Sequence, residues 1–333
     1  MASLFQLFGK KKRGHGLVGL NLCREGVALA HVLPGAERPR LNLCVFQEAS
    51  GEEAQHAALR ELVTTHGLEK AACAGVLEPQ QYKLLMIDAP SVGEDELKAA
   101  VRWQIKDMLD SPMEETAIDA FSLPPQRGGN MSYAVAAPND AVQRQAALMT
   151  DCKLQVEAVD IAEMALRNIA HLDPEDERGI TLLHFSCGSA IITISHQGLL
   201  TMTRGMELRR ADFARLEEGL AQTGPLSEDA PIPYETLGGA QDPLDRIVLE
   251  LQRSLDYQER HFDFPPPKAL RICPVGHVAP LLLRYLSENL GLKATPLDIN
   301  TLLECREPVD LPTQSRCLSA VGAALRHHAE GEA

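Results

Sequence analysis

The sequence predicts an α/β protein of two related lobes, the first interrupted by an inserted α+β subdomain. Three observations lead there. An apolar strand, a short turn carrying a glycine and a second apolar strand occur twice, at residues 17–33 (LVGLNLCREGVALAHVL) and 181–203 (TLLHFSCGSAIITISHQGLLTMT). A third strand-like run follows each hairpin, Leu41–Gln47 and Gly198–Thr203. Between the copies the rhythm changes to strand, helix, strand, strand, helix, strand, the pattern of a compact α+β unit.

The elements follow in order. Strands are expected at 17–22, 26–33 and 41–48, then a helix from near Ser50 with Leu59, Leu62 and Val63 on one face. Gly67 supplies its C-terminal stop, and Ala72–Leu77 is the next strand. Tyr82–Ala89 opens the insertion as a strand. Ser91 and Glu94 have capping-box spacing ahead of EDELKAAVRWQIKDML, whose stripe Leu97, Val101, Ile105, Met108 has helical period. Strands at 117–123 and 131–137 flank the turn PPQRGGN. Asn139 is placed as the cap of a second helix, and Leu154–Val159 closes the block. Asp160 and Glu163 repeat the capping spacing for a helix to about His171, followed by a solvated acidic loop, DPEDERG. After the second hairpin come a helix at 209–222, a Pro/Gly-rich loop at 223–242, and a strong helix capped by Asp242 with Pro243 at its first position. A strand at 269–274, a helix at 278–290, a strand at 293–297 and a helix at about 315–328 complete the chain. The expected organisation is a leader at 1–13, a first-lobe core at 14–81 joined by the C-terminal helix 312–328, and the insertion at 82–158. The second-lobe core is 159–204 and 266–311, with a helical and loop insertion at 205–265.

With 333 residues, 45% hydrophobic and 23% charged, the chain has material for two cores. A net charge of −14 argues against nucleic acid as a partner, because neutralising phosphates needs a basic surface. The eight cysteines are scattered without a CxxC pair, so neither a zinc site nor a thioredoxin-like motif is indicated. They read as small buried hydrophobes kept reduced inside the cell. No apolar run approaches the ~18 residues of a membrane span. In the leader, Leu4, Phe5, Leu7 and Phe8 precede Lys10, Lys11, Lys12 and Arg13, the reverse of a signal peptide. It reads either as a weak interfacial anchor, giving peripheral membrane contact through residues 1–13, or as an unstructured leader.

The hairpin–crossover order resembles the actin–hexokinase–Hsp70 superfamily. The segment ELKAAVRWQIKDMLDSPMEETAIDAF is similar to the signature of the PilM family, the actin-like cytoplasmic proteins of type IV pilus assembly. The matching positions are Glu96, Leu97, Ala100, Val101, Arg102, Trp103, Pro112, Glu115 and Asp119. VEAVDIAEMALRNI (156–169), Thr203–Arg204, ELQRSLDYQERHF (250–262) and GAALR (322–326) extend the likeness over most of the chain. Within the family, the divergence and the LFGKKK leader look most like MshI, of MSHA-type pilus biogenesis. The resemblance implies an FtsA/PilM-type two-lobed fold and a cytoplasmic protein docked at the inner membrane. It implies as partner the cytoplasmic N-terminus of a PilN-like bitopic protein (MshJ-like), and coupling to the pilus assembly ATPase complex.

It also implies a nucleotide cleft, and here the residues disagree. In the family's first phosphate loop, GIDIGSSSVK, the Asp organises Mg²⁺ through water and small residues let backbone N–H groups approach phosphate. This chain has Asn21 at the Asp position, Cys23 at a Gly position and Ala28 at the Lys position. Glu25 adds an anion that Arg24 only offsets, beside Gly26. The second loop's Asp-x-Gly is His184 and Ser186, though Ser186, Gly188 and Ser189 keep hydroxyls and a flexible turn. The adenosine-side glycine run is reduced to Gly276, after Pro274, which removes a donor. No catalysis and no resident cofactor or metal are expected, with residual ATP/Mg binding left as an alternative. The bland reading of Asn21, Cys23 and His184 is that they belong to two sheet cores. His327 and His328 make no metal site, since no carboxylate or third histidine is placed beside them.

The partner groove is expected on the insertion, with Leu84, Leu85, Arg102, Trp103 and Lys106 as contacts. Trp and Arg are the favoured anchors of protein contacts, although a sole Trp is more often core. The competing functions are an ATP-binding conformational switch and a GspL-like adaptor of type II secretion, whose members continue into a membrane span. A sugar or acid kinase is disfavoured because no catalytic Asp base is evident near either hairpin.

Overall fold

The structure, a computed structural model, describes residues 16–186, 189–207, 212, 215, 241–273 and 279–330. The leader, Gly188, Gly276, nearly all of the 209–222 helix and the 223–240 loop therefore lie outside the described residues. The chain divides into two compact units. One comprises Met1–Ile169, Asn300–Val309 and Arg316–Ala333, the other Ala170–Ile299 and Asp310–Ser315. Residues 159–169 and 300–309, which the sequence reading assigns to the second lobe, fall in the first unit.

The first unit is built on β1 (Leu17–Cys23), β2 (Gly26–Leu33), β3 (Arg40–Glu48), β4 (Ala72–Leu77) and β8 (Gln155–Ile161). After the one-turn helix α7 (Ile299–Leu302), short β14 (Glu304–Cys305) extends the sheet, whose order is β14-β3-β2-β1-β4-β8. β1, β2 and β3 are antiparallel neighbours; β4 and β8 then add parallel to β1. Apolar residues fill both faces of β1 and β2, as expected of central strands covered on each side. Helix α1 (Glu52–Thr65) buries Ala58, Leu59, Leu62 and Val63 and packs by β2, while α3 (Asn139–Asp151) lies on β4 and β8.

Two glycines let the remaining helices in. Helix α8 (Leu311–Ala324) crosses β1 so closely that a Cβ on Gly19 would stand 1.8 Å from the Ala320 carbonyl oxygen. A Cβ on Gly322 would stand 2.1 Å from the Ala165 oxygen on α4 (Ala162–Ala170). Asn168 seals that contact by donating from Nδ2 to the Gly322 carbonyl at 2.9 Å. The GAALR segment is thus a helix-packing device.

The insertion is smaller than the sequence rhythm suggests. β5 (Lys83–Asp88), β6 (Thr116–Ser122) and β7 (Met131–Pro138) make a separate sheet of order β5-β7-β6. Helix α2 (Glu94–Gln104) covers one face through Leu97, Val101 and Ile105, against Ile87, Ile118, Ala120, Ala134 and Ala136. The last helix and strand of the expected six-element block, α3 and β8, belong to the main sheet of the first unit instead. Pairing partners, not periodicity, decide that membership. The α-helix also ends early: residues 106–108 form a 3₁₀ turn, and Met108, expected in the buried stripe, is exposed. The expected caps do not form. Gly93 and Pro138 are the N-caps of α2 and α3, without side-chain capping bonds, and Asn139 Nδ2 instead donates to the Glu114 carbonyl.

The second unit repeats the scheme. β9 (Ile180–Ser186), β10 (Ser189–His196) and β11 (Leu199–Glu207) are antiparallel, and β12 (Ala269–Ile272) and β13 (Lys293–Pro296) add parallel to β9. The order is β11-β10-β9-β12-β13. Helix α5 (Gln241–His261) and helix α6 (Ala279–Leu290) pack their apolar stripes on one face, with Leu244, Ile247, Leu251, Leu281, Leu282 and Leu286 all buried. The DPEDERG segment is no solvated loop: residues 174–178 form a 3₁₀ turn and both Asp173 and Asp176 are buried. Asp173 pairs with Arg271 at 2.8 Å, and Asp176 accepts the Gly198 N–H at 2.5 Å.

Candidate functional site

The first hairpin turns at Arg24 and Glu25, between the facing pair Cys23 and Gly26. Strand alternation puts Asn21 and Cys23 on the same face as Gly19, the face that α8 covers. The turn's backbone groups are satisfied from within the unit. Gln55 Nε2 donates to the Cys23 carbonyl at 2.7 Å, and the Ala49 N–H donates to the Glu25 carbonyl at 3.0 Å. The Glu78 carboxyl, just beyond β4, caps the 3₁₀ turn Pro79–Gln81 and lies within electrostatic reach of Arg24. Burial pushes the Glu78 carboxyl above the usual range, while the Arg24 amide and guanidinium pull it back. Where a working phosphate loop faces open space for a ligand, this turn has a carboxyl of its own chain beside it. With Asn21 uncharged as well, the first turn by itself fits neither a phosphate nor a hydrated Mg²⁺. Among the described residues, no group of His, Cys, Asp and Glu side chains is placed to hold a metal ion.

In the second hairpin Ser186 faces Ser189, and residues 187 and 188 of the turn lie outside the described residues. Ser189 is buried and its Oγ has no hydrogen-bond partner among the described residues. His184, opposite Ile191, is 3% exposed, and burial pushes its pKa down to about 4. A neutral imidazole in a sheet interior is a core residue. Pro274 and Gly276 lie outside the described residues.

The five residues named for the partner groove do not share one face. Leu84 and Leu85 alternate across β5, and Leu85 packs against the core beneath α2. Arg102 is half-buried, its Nη2 donating to the Met113 carbonyl at 2.9 Å, so it latches α2 to the segment that follows. Trp103 is 70% exposed, on the face of α2 away from Val101 and Ile105, and Lys106 is exposed beyond it. An indole this exposed on a helix is unusual, since tryptophan is highly buried on average. Val92 and Met108, at either end of α2, are further exposed apolar side chains. β5 is also an edge strand of its three-stranded sheet.

Other polar features have no sequence signal. Tyr82 Oη donates to Glu163 at 2.5 Å, tying the entry of the insertion to α4, and burial raises both groups' pKa values. Asp160, 1% exposed, accepts from Arg326 Nη1 at 2.6 Å. The capping spacing of Asp160 and Glu163 is therefore spent on tertiary partners. His327 pairs with Glu157, so a carboxylate does stand beside the histidine pair.

No known family profile matches the chain, and no curated protein matches it in sequence. Solved structures do. Over 95% of this chain and 99% of the other, it is similar to a structure of the PilM–PilN type IV pilus biogenesis complex, at TM-score 0.70 and 21% identity. A Bacteroides thetaiotaomicron protein of actin-like ATPase fold follows at TM-score 0.49, 8% identity and coverage of 92% and 97%. The cytoplasmic domain of EpsL, from the Vibrio cholerae type II secretion system, follows at 0.45, 10% identity and coverage of 95% and 95%. The chain has the actin-like α/β fold. No helix among the described residues is long and apolar enough to cross a membrane.

Proposed function

We propose that this chain is a non-enzymatic, actin-like scaffold of type IV pilus assembly, the MshI counterpart of an MSHA-type machine. Its likeness to the PilM–PilN structure along nearly the whole of both chains carries the reading. Its ligand is the cytoplasmic N-terminus of a PilN-like (MshJ-like) bitopic inner-membrane protein, received at the insertion where Trp103 is exposed. Through that partner it works beside the pilus assembly ATPase, in the cytoplasm at the inner membrane, with residues 1–13 supplying peripheral contact. Nucleotide chemistry has no part in it, a reading supported by Asn21 in place of a metal-organising carboxylate and by the Glu78 carboxyl beside the first turn. The test uses the chain's sole tryptophan. Titrating a peptide of the bitopic partner's N-terminus into the full-length protein should shift Trp103 emission saturably, with a micromolar or tighter midpoint. An unchanged emission together with no heat of binding would remove the scaffold reading.

A further inference from the structure

Three thiols from distant parts of the sequence meet in the first unit. On β3, Cys44, Phe46 and Glu48 alternate onto one face, and the pairing of Gly19 with Ala30 and of Ala30 with Cys44 makes it the face that α8 covers. Arg316 on α8 lies over the Phe46 ring at 4.7 Å and pairs with Glu48 at 3.1 Å. One turn further on, the Ala320 carbonyl presses on Gly19. Cys317 sits between these two contacts, over the strand face that carries Cys44, with Cys44 and Cys23 as its thiol neighbours. Cys317 is fully buried, whereas Cys44 and Cys23 are half-buried. The neighbouring Cys44 and burial push the Cys317 pKa well up, and Cys44, the more exposed of the two, is the member that meets solvent and oxidant first.

We propose that Cys44 and Cys317 are an oxidation-sensitive pair, which a hydroperoxide converts to a disulfide stapling α8 to β3. The Cys44 thiolate attacks the peroxide, the O–O bond breaks, and Cys44 becomes a sulfenic acid as one water leaves. The Cys317 sulfur then attacks the Cys44 sulfur. The S–O bond breaks, and the departing hydroxide takes the Cys317 proton as a second water. Two thiols lose two electrons in all, and one hydrogen peroxide becomes two waters. The staple closes a loop of 273 residues (317 − 44) and pins α8 to β3.

The experiment treats the full-length protein with hydrogen peroxide, blocks remaining thiols and maps peptides by mass spectrometry. A Cys44–Cys317 linked peptide should dominate, disappear with dithiothreitol and be absent from Cys44→Ser but present in Cys305→Ser. The linked protein should unfold about 5 °C higher than the reduced one, since a long loop is closed in the unfolded chain. Both thiols remaining blockable while Cys23 oxidises would overturn the proposal. So would a Cys23–Cys44 link, or a Cys44–Cys317 link that forms only in denaturant. The wild-type mapping reads the pairing even if a variant folds poorly.

Discussion

Trp103 carries the sharpest residue-scale prediction. Its side chain is exposed, so Trp103→Ala should leave the unfolding midpoint within about 1 °C while weakening the partner peptide about 30-fold, the ~2 kcal/mol of an interface anchor. Arg102→Ala differs: losing the bond to the Met113 carbonyl should lower stability by about 1 kcal/mol, read by urea denaturation. His184 sets a pH dependence. Its folded pKa of about 4 lies below the ordinary 6.5, so the unfolded chain takes up a proton that the folded chain refuses. Its contribution is complete above pH 6.5 and is lost as pH falls toward 4, about 2 kcal/mol of it by pH 5. Urea midpoints at pH 7.5 and 5 should differ by less in His184→Gln. Glu163 runs the opposite way. Burial raises its carboxyl pKa, so the charged form is the costly one and Glu163→Gln should hold or raise stability at pH 7.5.

At the scale of elements, the C-terminal helices are the structure's keystone. Gly19→Ala would drive a methyl into the Ala320 carbonyl and should cost about 3 kcal/mol, far more than the same change at exposed Gly93. Arg326→Met strips the partner from buried Asp160 and should cost about 3–5 kcal/mol, whereas replacing both with apolar residues should recover most of the loss. Strands and helices here were legible because their apolar periods are strong: β1, β2, β4 and α1 lie within a residue or two of the sequence reading. Their alliances were not legible. The sequence rhythm groups β8 with the insertion, but hydrogen bonding gives it to β4. Capping spacings at Asp160–Glu163 and buried charges at Asp173 and Asp176 mislead for one reason. A carboxylate looks solvated until a distant arginine, tyrosine or backbone amide takes it.

For the molecule as a whole, the repeated hairpin phrase was the decisive signal. Both main sheets follow one scheme, an antiparallel triplet with two parallel strands added to its first member. The side chains of the first turn, Asn21, Cys23 and Ala28, were visible in the sequence, but the carboxyl that stands beside the turn was not. Glu78 is 54 residues from Arg24, and only the pairing of β1 with β4 brings them together. On the proposed scaffold reading, an actin-like fold with Asn21 and a carboxyl of its own chain at the first turn should bind its partner without regard to nucleotide. Calorimetric titration of the partner's N-terminal peptide into the full-length protein, with and without millimolar Mg-ATP, puts that to the test. The expected result is one saturable binding event with the same Kd in both buffers. A Kd that moves tenfold or more with Mg-ATP would make the chain a nucleotide-driven switch and contradict the scaffold.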